Sequence, residues 1–242
     1  MFALYSRTGL VLRNNFWLFA AIAAIGVLAD NLGEFSPGLC GKLVVYALIT
    51  FFSHRLILSG ASTTLAESFR PGLNSALVGP MLPFMLRFAG LLLIGAVIWA
   101  ICAFSLWSFF ASNEKSVIFL ITILSLIPTT LLSYGILSLV GTVLPAAAAG
   151  QDASFGRAYE IGRQRFGRTY FRLITGNLLF SIANVVLTLG LAVLLPVSQS
   201  APLVYATEWL LTVLSIIPLL LTATALCMAF EEGQPSAADA PT

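Results

Sequence analysis

The sequence predicts an all-α, polytopic integral membrane protein: six transmembrane helices arranged as three repeated helical hairpins, with both termini on the cytoplasmic side (N-in/C-in). Three observations predict it. Only 9% of the 242 residues are Asp, Glu, Lys or Arg, while 59% are apolar and the mean hydropathy is +0.97; a soluble domain carries about a quarter charged residues. A chain this poor in charge cannot clothe a globular surface in water, whereas a bilayer tolerates the excess of apolar surface. The apolar residues also fall into runs separated by charge, of the order of the roughly 20 residues that carry a helix across ~30 Å of hydrocarbon. Finally, "TILSLIP" at 122–128 returns as "TVLSIIP" at 212–218, each time inside such a run.

In chain order the runs are 16–28, 43–58, 88–110, 117–144, 173–195 and 209–230. Paired, they give hairpins over about 14–60, 84–145 and 172–230 within one transmembrane domain, 1–230. Arg7 and Arg13 precede the first run in the manner of a cleavable signal, but aromatics and Asp30 follow with no small-x-small cleavage site, so the segment is retained as a helix. The second run is interrupted by His54 and Arg55. Asn14, Asn15, Asn31 and Lys42 are placed at the interfaces, with the lysine stem snorkelling. The connection 66–87 holds Pro71, Pro80 and Pro83 and is expected to be broken and to dip into the interface, and 231–242 is expected to be a disordered tail.

Orientation follows from the cations, because cytoplasmic loops keep Lys and Arg in excess. One set of alternate loops holds Arg7, Arg13, Arg55, Arg70, Arg87, Arg157, Arg163, Arg165, Arg168 and Arg172, and the other only Lys42 and Lys115. The first set is therefore cytoplasmic, and the outer loops are short and slightly acidic around Glu34, Glu114 and Glu208.

The repeated heptapeptide places Pro128 and Pro218 ninety residues apart, at the same depth in the fourth and sixth spans. A second correspondence sets Arg87 and Arg172 each twenty-six residues after an alanine, Ala61 and Ala146. Repeats of one orientation pack about an axis along the membrane normal. The competing reading is coincidence in a composition rich in Leu, Ile and Ser. A shared proline predicts a shared kink whose freed carbonyl needs a partner: Thr129, Thr130 and Ser133 for Pro128, Thr222 and Thr224 for Pro218.

The polar connection 152–172 predicts an interfacial helix. At 100° per residue, Phe155, Tyr159, Gly162, Phe166, Tyr170 and Leu173 share one face, and Arg157, Arg165, Arg168 and Arg172 the opposite one. With Arg163, these cations and aromatics form a candidate site for anionic lipid headgroups or for a membrane-protein partner. The plainer reading is an anchor that fixes orientation.

Intramembrane ionisable groups mark transport or catalysis, and only His54 and Arg55 interrupt a span. They admit a proton or anion site, against which stands an Arg55 that snorkels and pairs with Glu231 or Glu232. One histidine without a carboxylate gives neither a zinc site nor an oriented base. Cys40, Cys102 and Cys227 are scattered and packing is their expected role, so no metal site, cofactor or catalytic residue is expected. No HExxH, GxSxG, P-loop or dinucleotide fingerprint occurs, and a net charge of +2 does not point to nucleic acid. Asn177 and Asn184 share a face of the fifth span; with Ser133 and Tyr134 they define a possible polar cavity, the alternative being hydrogen bonds between helices.

The alanine-rich helix end "VLPAAAAGQDASFGRAYEIGR", followed by a basic residue leading the next span, resembles the YciC-like six-helix membrane proteins. It is also similar to the membrane domain attached to some bacterial glycerophosphoryl diester phosphodiesterases, whose catalytic barrel has no counterpart in these 242 residues. The resemblance implies a bacterial inner-membrane location and carries no catalytic residue. The expected function is non-enzymatic: an accessory, assembly or lipid-handling component whose partners are membrane lipids and a membrane protein. The alternative is a small transporter or facilitator for an apolar or zwitterionic solute.

Overall fold

A computed structural model describes residues 2–32, 38–60, 74–110, 115–151, 154–194 and 201–234. These form seven helices: α1 (Phe2–Leu32), α2 (Gly38–Leu58), α3 (Asn74–Phe110), α4 (Lys115–Val140), α5 (Val143–Ala148), α6 (Phe155–Leu194) and α7 (Ala201–Gly233). No strand occurs among the described residues. Stretches long and apolar enough to cross a membrane lie in three of them, at Phe2–Ile25, Gly79–Ser108 and Tyr205–Gly233, and shorter apolar stretches, Val44–Leu58 and Leu124–Val140, lie in α2 and α4. Apart from Phe84, the apolar stretch of α3 buries none of its residues, and Leu93, Val97, Ile101 and Phe104 are exposed along it. In water this would be a large adhesive patch; in hydrocarbon it is ordinary surface.

α7 packs against α1, α2, α5 and α6, while α4 bridges α3 and α6. Three apolar clusters hold these contacts. Val11, Phe19, Ile49, Leu56, Ile216 and Leu220 join α1, α2 and α7. Leu4, Leu173, Leu221 and Ala225 join α1, α6 and α7. Phe51, Phe84, Leu226 and Phe230 gather around α5, every residue of which is buried. Its sequence, VLPAAA, explains how a helix can lie there, since methyl side chains let it approach α2, α3 and α7 closely. Gly150 ends it at φ +70°, with the Gln151 N–H on the Ala146 carbonyl and the Gly150 N–H on that of Ala147, both at 3.0 Å. This six-to-one and five-to-two pairing needs a left-handed residue, which glycine adopts without strain.

Several expectations are corrected. α1 starts at Phe2 rather than near the first apolar run, and bends at Asn15 (φ −124°, ψ 19°). Asn15 is buried rather than interfacial, and its Nδ2 donates to the Val11 carbonyl at 3.1 Å. The connection expected to be broken is helical from Asn74, with Pro80 and Pro83 inside α3. The wholly buried Phe84 seats that turn against Phe51, ring centroids 5.2 Å apart. α6 runs unbroken for 40 residues, so the corner between an interfacial helix and the fifth span is absent. Its buried residues Ala158, Gly162, Thr169, Leu173, Gly176 and Asn177 lie on one side of the helix and form one packing stripe. Gly162 and Leu173, which the helical wheel grouped with the lipid-facing aromatics, belong to this stripe. α7 continues through Gly233, so Glu231 and Glu232 are helical, whereas the rest of the expected tail, 235–242, lies outside the described residues.

The prolines expected as kinks, Pro128 and Pro218, lie inside α4 and α7. The carbonyls they free are those of Leu124 and Leu214. The Thr129 hydroxyl instead donates to the Ser125 carbonyl at 2.7 Å, and that of Thr224 to the Leu220 carbonyl at 2.8 Å. Arg70, Pro71, Glu34 and Glu114 lie outside the described residues, as do the side chains of Asn31, Lys42 and Glu208.

Candidate functional site

Two arrangements stand out, one at the arginine-rich end of the bundle and one inside it. At the end, Arg7 of α1 grips Glu231 of α7 in a two-pronged pair, Nη1 to Oε2 and Nη2 to Oε1, each 2.6 Å. Its Nη2 also donates to the Ile57 carbonyl at 2.9 Å, within the last turn of α2, where a cation is favoured by the exposed carbonyls. Glu232 receives three arginines of α6: Arg172 at 2.7 Å, Arg165 at 3.1 Å and Arg168 at 3.4 Å. Arg165 donates to the Glu232 backbone carbonyl as well. The carboxylates expected to meet Arg55 are thus held by Arg7 and the α6 arginines, and Arg55 itself is half-buried near the end of α2.

This divides the expected basic surface. Arg165, Arg168 and Arg172 serve the fold, while Arg157 and Arg163 stay exposed. Phe155, Tyr159 and Phe166 are also exposed, and Tyr170 stacks on Phe166 with centroids 5.4 Å apart. The first half of α6 is therefore a post fastened to the end of α7, with exposed Arg157 and Arg163 and an aromatic flank.

Inside the bundle, α2, α3, α4 and α7 leave a cavity of about 400 Å³, with Leu144 of α5 in its wall. Helical spacing selects the residues that face it. Thr50 and His54 come from one side of α2, Thr129, Ser133 and Leu137 from one side of α4, and Leu219, Thr222 and Leu226 from one side of α7. α3 supplies Phe88, Leu91, Gly95 and Ile98, and its exposed Leu92 and Ile94 lie at the rim on the flank of the bundle. Among the described residues that line it, none carries a fixed charge.

His54 is wholly buried, with its ring centroid 5.6 Å from that of Phe84 in an edge-to-face contact. Its Nδ1 lies 2.8 Å from the Thr50 carbonyl. A carbonyl only accepts, so Nδ1 carries the proton and Nε2 of the neutral ring keeps a lone pair. Nε2 is buried and has no hydrogen-bond partner. The Thr50 hydroxyl is committed to the Tyr46 carbonyl at 2.6 Å and that of Thr129 to Ser125.

Of the four residues expected to share a polar cavity, Ser133, Tyr134 and Asn177 are not brought together at this one. Ser133 lines this one. Tyr134, the next residue and so rotated by about 100°, packs into the cluster of α1, α6 and α7. Asn177 stands behind the wall: its Nδ2 donates to Thr222 Oγ1 at 2.7 Å, and Thr222 is the lining residue. The side chain of Asn184 lies outside the described residues. His54 was legible as an ionisable group within an apolar run, but Thr50 and Gly95 carried no signal before the helices were assembled. Among the described residues no group of three or more His, Cys, Asp or Glu is placed to hold a metal.

Neither a protein-family model nor a curated protein nor a solved structure matches this chain. Its chemistry is therefore read from the cavity alone: an apolar chamber among α2, α3, α4 and α7, a few hydroxyls, and one buried imidazole nitrogen able to accept a hydrogen bond.

Proposed function

We propose that this chain is a non-enzymatic bacterial inner-membrane protein that handles a lipid, holding part of it in the cavity between α2, α3, α4 and α7. The observation that carries the reading is the cavity itself: about 400 Å³, without charge, rimmed by exposed Leu92 and Ile94 on a helix whose apolar face is bare. A chamber with its rim on the flank exchanges its occupant with the bilayer rather than with water.

In this reading α1–α2, α3–α4 and α6–α7 are three hairpins of one orientation, and six segments cross the bilayer. The meeting of Arg7 with Glu231 supports placing both termini on one side, and the bias of arginines toward that end supports a cytoplasmic assignment. Arg157 and Arg163, with Phe155, Tyr159 and Phe166, then face the cytoplasm as a docking surface for an accessory partner. A facilitator has less support, because the buried α5 lies against the same cavity toward the arginine-rich end and contributes Leu144 to its wall.

The test is extraction of the protein with its native lipids, followed by mass spectrometry of the bound lipids and proteins. The reading predicts one lipid class enriched over the bulk membrane and lost in Gly95→Phe, which fills the chamber; a Cβ at Gly95 comes no nearer than 4.0 Å to Ser133 Oγ, so the backbone accommodates a side chain. Bound lipids that mirror the bulk membrane in both forms would refute it.

A further inference from the structure

We infer that the cavity selects a neutral amphiphile whose head donates a hydrogen bond, an alkyl chain or acylglycerol ending in a free hydroxyl, and that His54 Nε2 is the acceptor that reads it. The inference rests on the lipid-handling reading and names the head group that this reading leaves open.

Three features of the chamber support it. First, the tautomer is fixed: Nδ1 donates to the Thr50 carbonyl at 2.8 Å, so the nitrogen left over on this cavity-lining ring is an acceptor. Second, that nitrogen is buried and has no partner among the described residues, which is unfavourable in an apolar setting and is relieved by an occupant whose O–H reaches it. Third, no described residue of the lining carries a charged side chain, so a phosphate or carboxylate head would be stripped of water with no cation among them to receive it. An alcohol head satisfies all three features. An ester or ether lacks the donor and leaves Nε2 as it was. The difference between donor and non-donor heads should be roughly tenfold in affinity, the equivalent of one buried hydrogen bond gained.

The chain has a single histidine, so the imidazole ¹⁵N spectrum of the full-length protein in phosphatidylcholine nanodiscs contains one residue. Titration with 1-dodecanol and, separately, with its methyl ether compares two ligands of the same chain that differ in the donor. The expected result is about tenfold tighter binding of the alcohol, with a shift of the unprotonated Nε2 resonance that the ether does not produce, and loss of the preference in His54→Phe. Equal binding of the two ligands, both displaced by Gly95→Phe, would overturn this inference while leaving the lipid-handling reading in place. An Nε2 resonance unmoved by bound alcohol, or a preference that survives in His54→Phe, would overturn it too. Failure of both ligands to bind would remove the cavity reading and the inference together. If His54→Phe does not fold, the wild-type ¹⁵N titration decides alone.

Discussion

At Gly162 the backbone of α6 lies directly on the end of α4: a Cβ there would overlap the carbonyl of Leu139 and come within 2.6 Å of the Ser138 carbonyl oxygen. Backbone cannot swing aside as a side chain does, so Gly162→Ala should destabilise the protein by about 1–3 kcal/mol, the usual cost of overpacking. One and a half turns on, Gly167 meets nothing within 4 Å. Gly167→Ala should leave stability unchanged or raise it by about 0.5–1 kcal/mol through helix propensity. Thermal unfolding of the two variants in the same detergent checks the pair, and a fall for Gly167→Ala equal to that for Gly162→Ala would mean that α6 does not pack as described. The sequence marks both residues equally, as weak points in a helix. Only the neighbouring helix separates a contact from an exposed glycine, and a single strand of sequence carries no record of that neighbour.

The joint between α6 and α7 depends on one carboxylate receiving three guanidinium groups of unequal burial: Arg172 is 16% exposed and Arg168 is 65% exposed. Glu232→Gln leaves three cations crowded at the joint and should cost about 1–3 kcal/mol, less than a fully buried pair because water still reaches it. Arg172→Gln should be felt more than Arg168→Gln, whose pair is largely solvated and screened by salt. Unfolding midpoints at low and high salt test this order, with the Arg168 variant converging on wild type as salt rises; a larger loss for Arg168→Gln would contradict the assignment. The amphipathic pattern of 155–172 was plain in the sequence, and Phe155, Tyr159 and Phe166 are exposed, whereas Gly162 and Leu173, grouped with them, are buried. The direction of the helix was not plain, because amphipathicity looks the same whether the polar face meets headgroups or carboxylates sixty residues later. The pairs Arg165–Glu232 and Arg172–Glu232 span 67 and 60 residues, beyond any local periodicity.

Over the whole molecule, composition alone was enough to identify an all-helical chain suited to the bilayer, because charge scarcity is a bulk property that no local ambiguity disturbs. Helix lengths were less legible: α3 and α6 extend well beyond their apolar runs, as polar residues continue a helix wherever another surface packs on it. The cavity was invisible for a stronger reason, since it belongs to four helices at once. The proposed topology, with both termini on one side, predicts that cysteines placed at Gln151 and Gln234, which hydrogen-bond to each other at 3.0 Å, react with a membrane-impermeant thiol reagent from the same side, and one placed at Tyr205 from the other. Labelling of all three from one side would refute the up-and-down arrangement. The ion pairs at the end of the bundle also have a temporal aspect. Synthesis proceeds from the amino terminus, so Arg7 and the α6 arginines are made well before Glu231 and Glu232. In the proposed topology their positive charge is uncompensated while each hairpin takes its direction across the membrane, when it has the most influence. It is neutralised only after that choice, so the same side chains act first as signposts for insertion and later as the latch of the finished bundle.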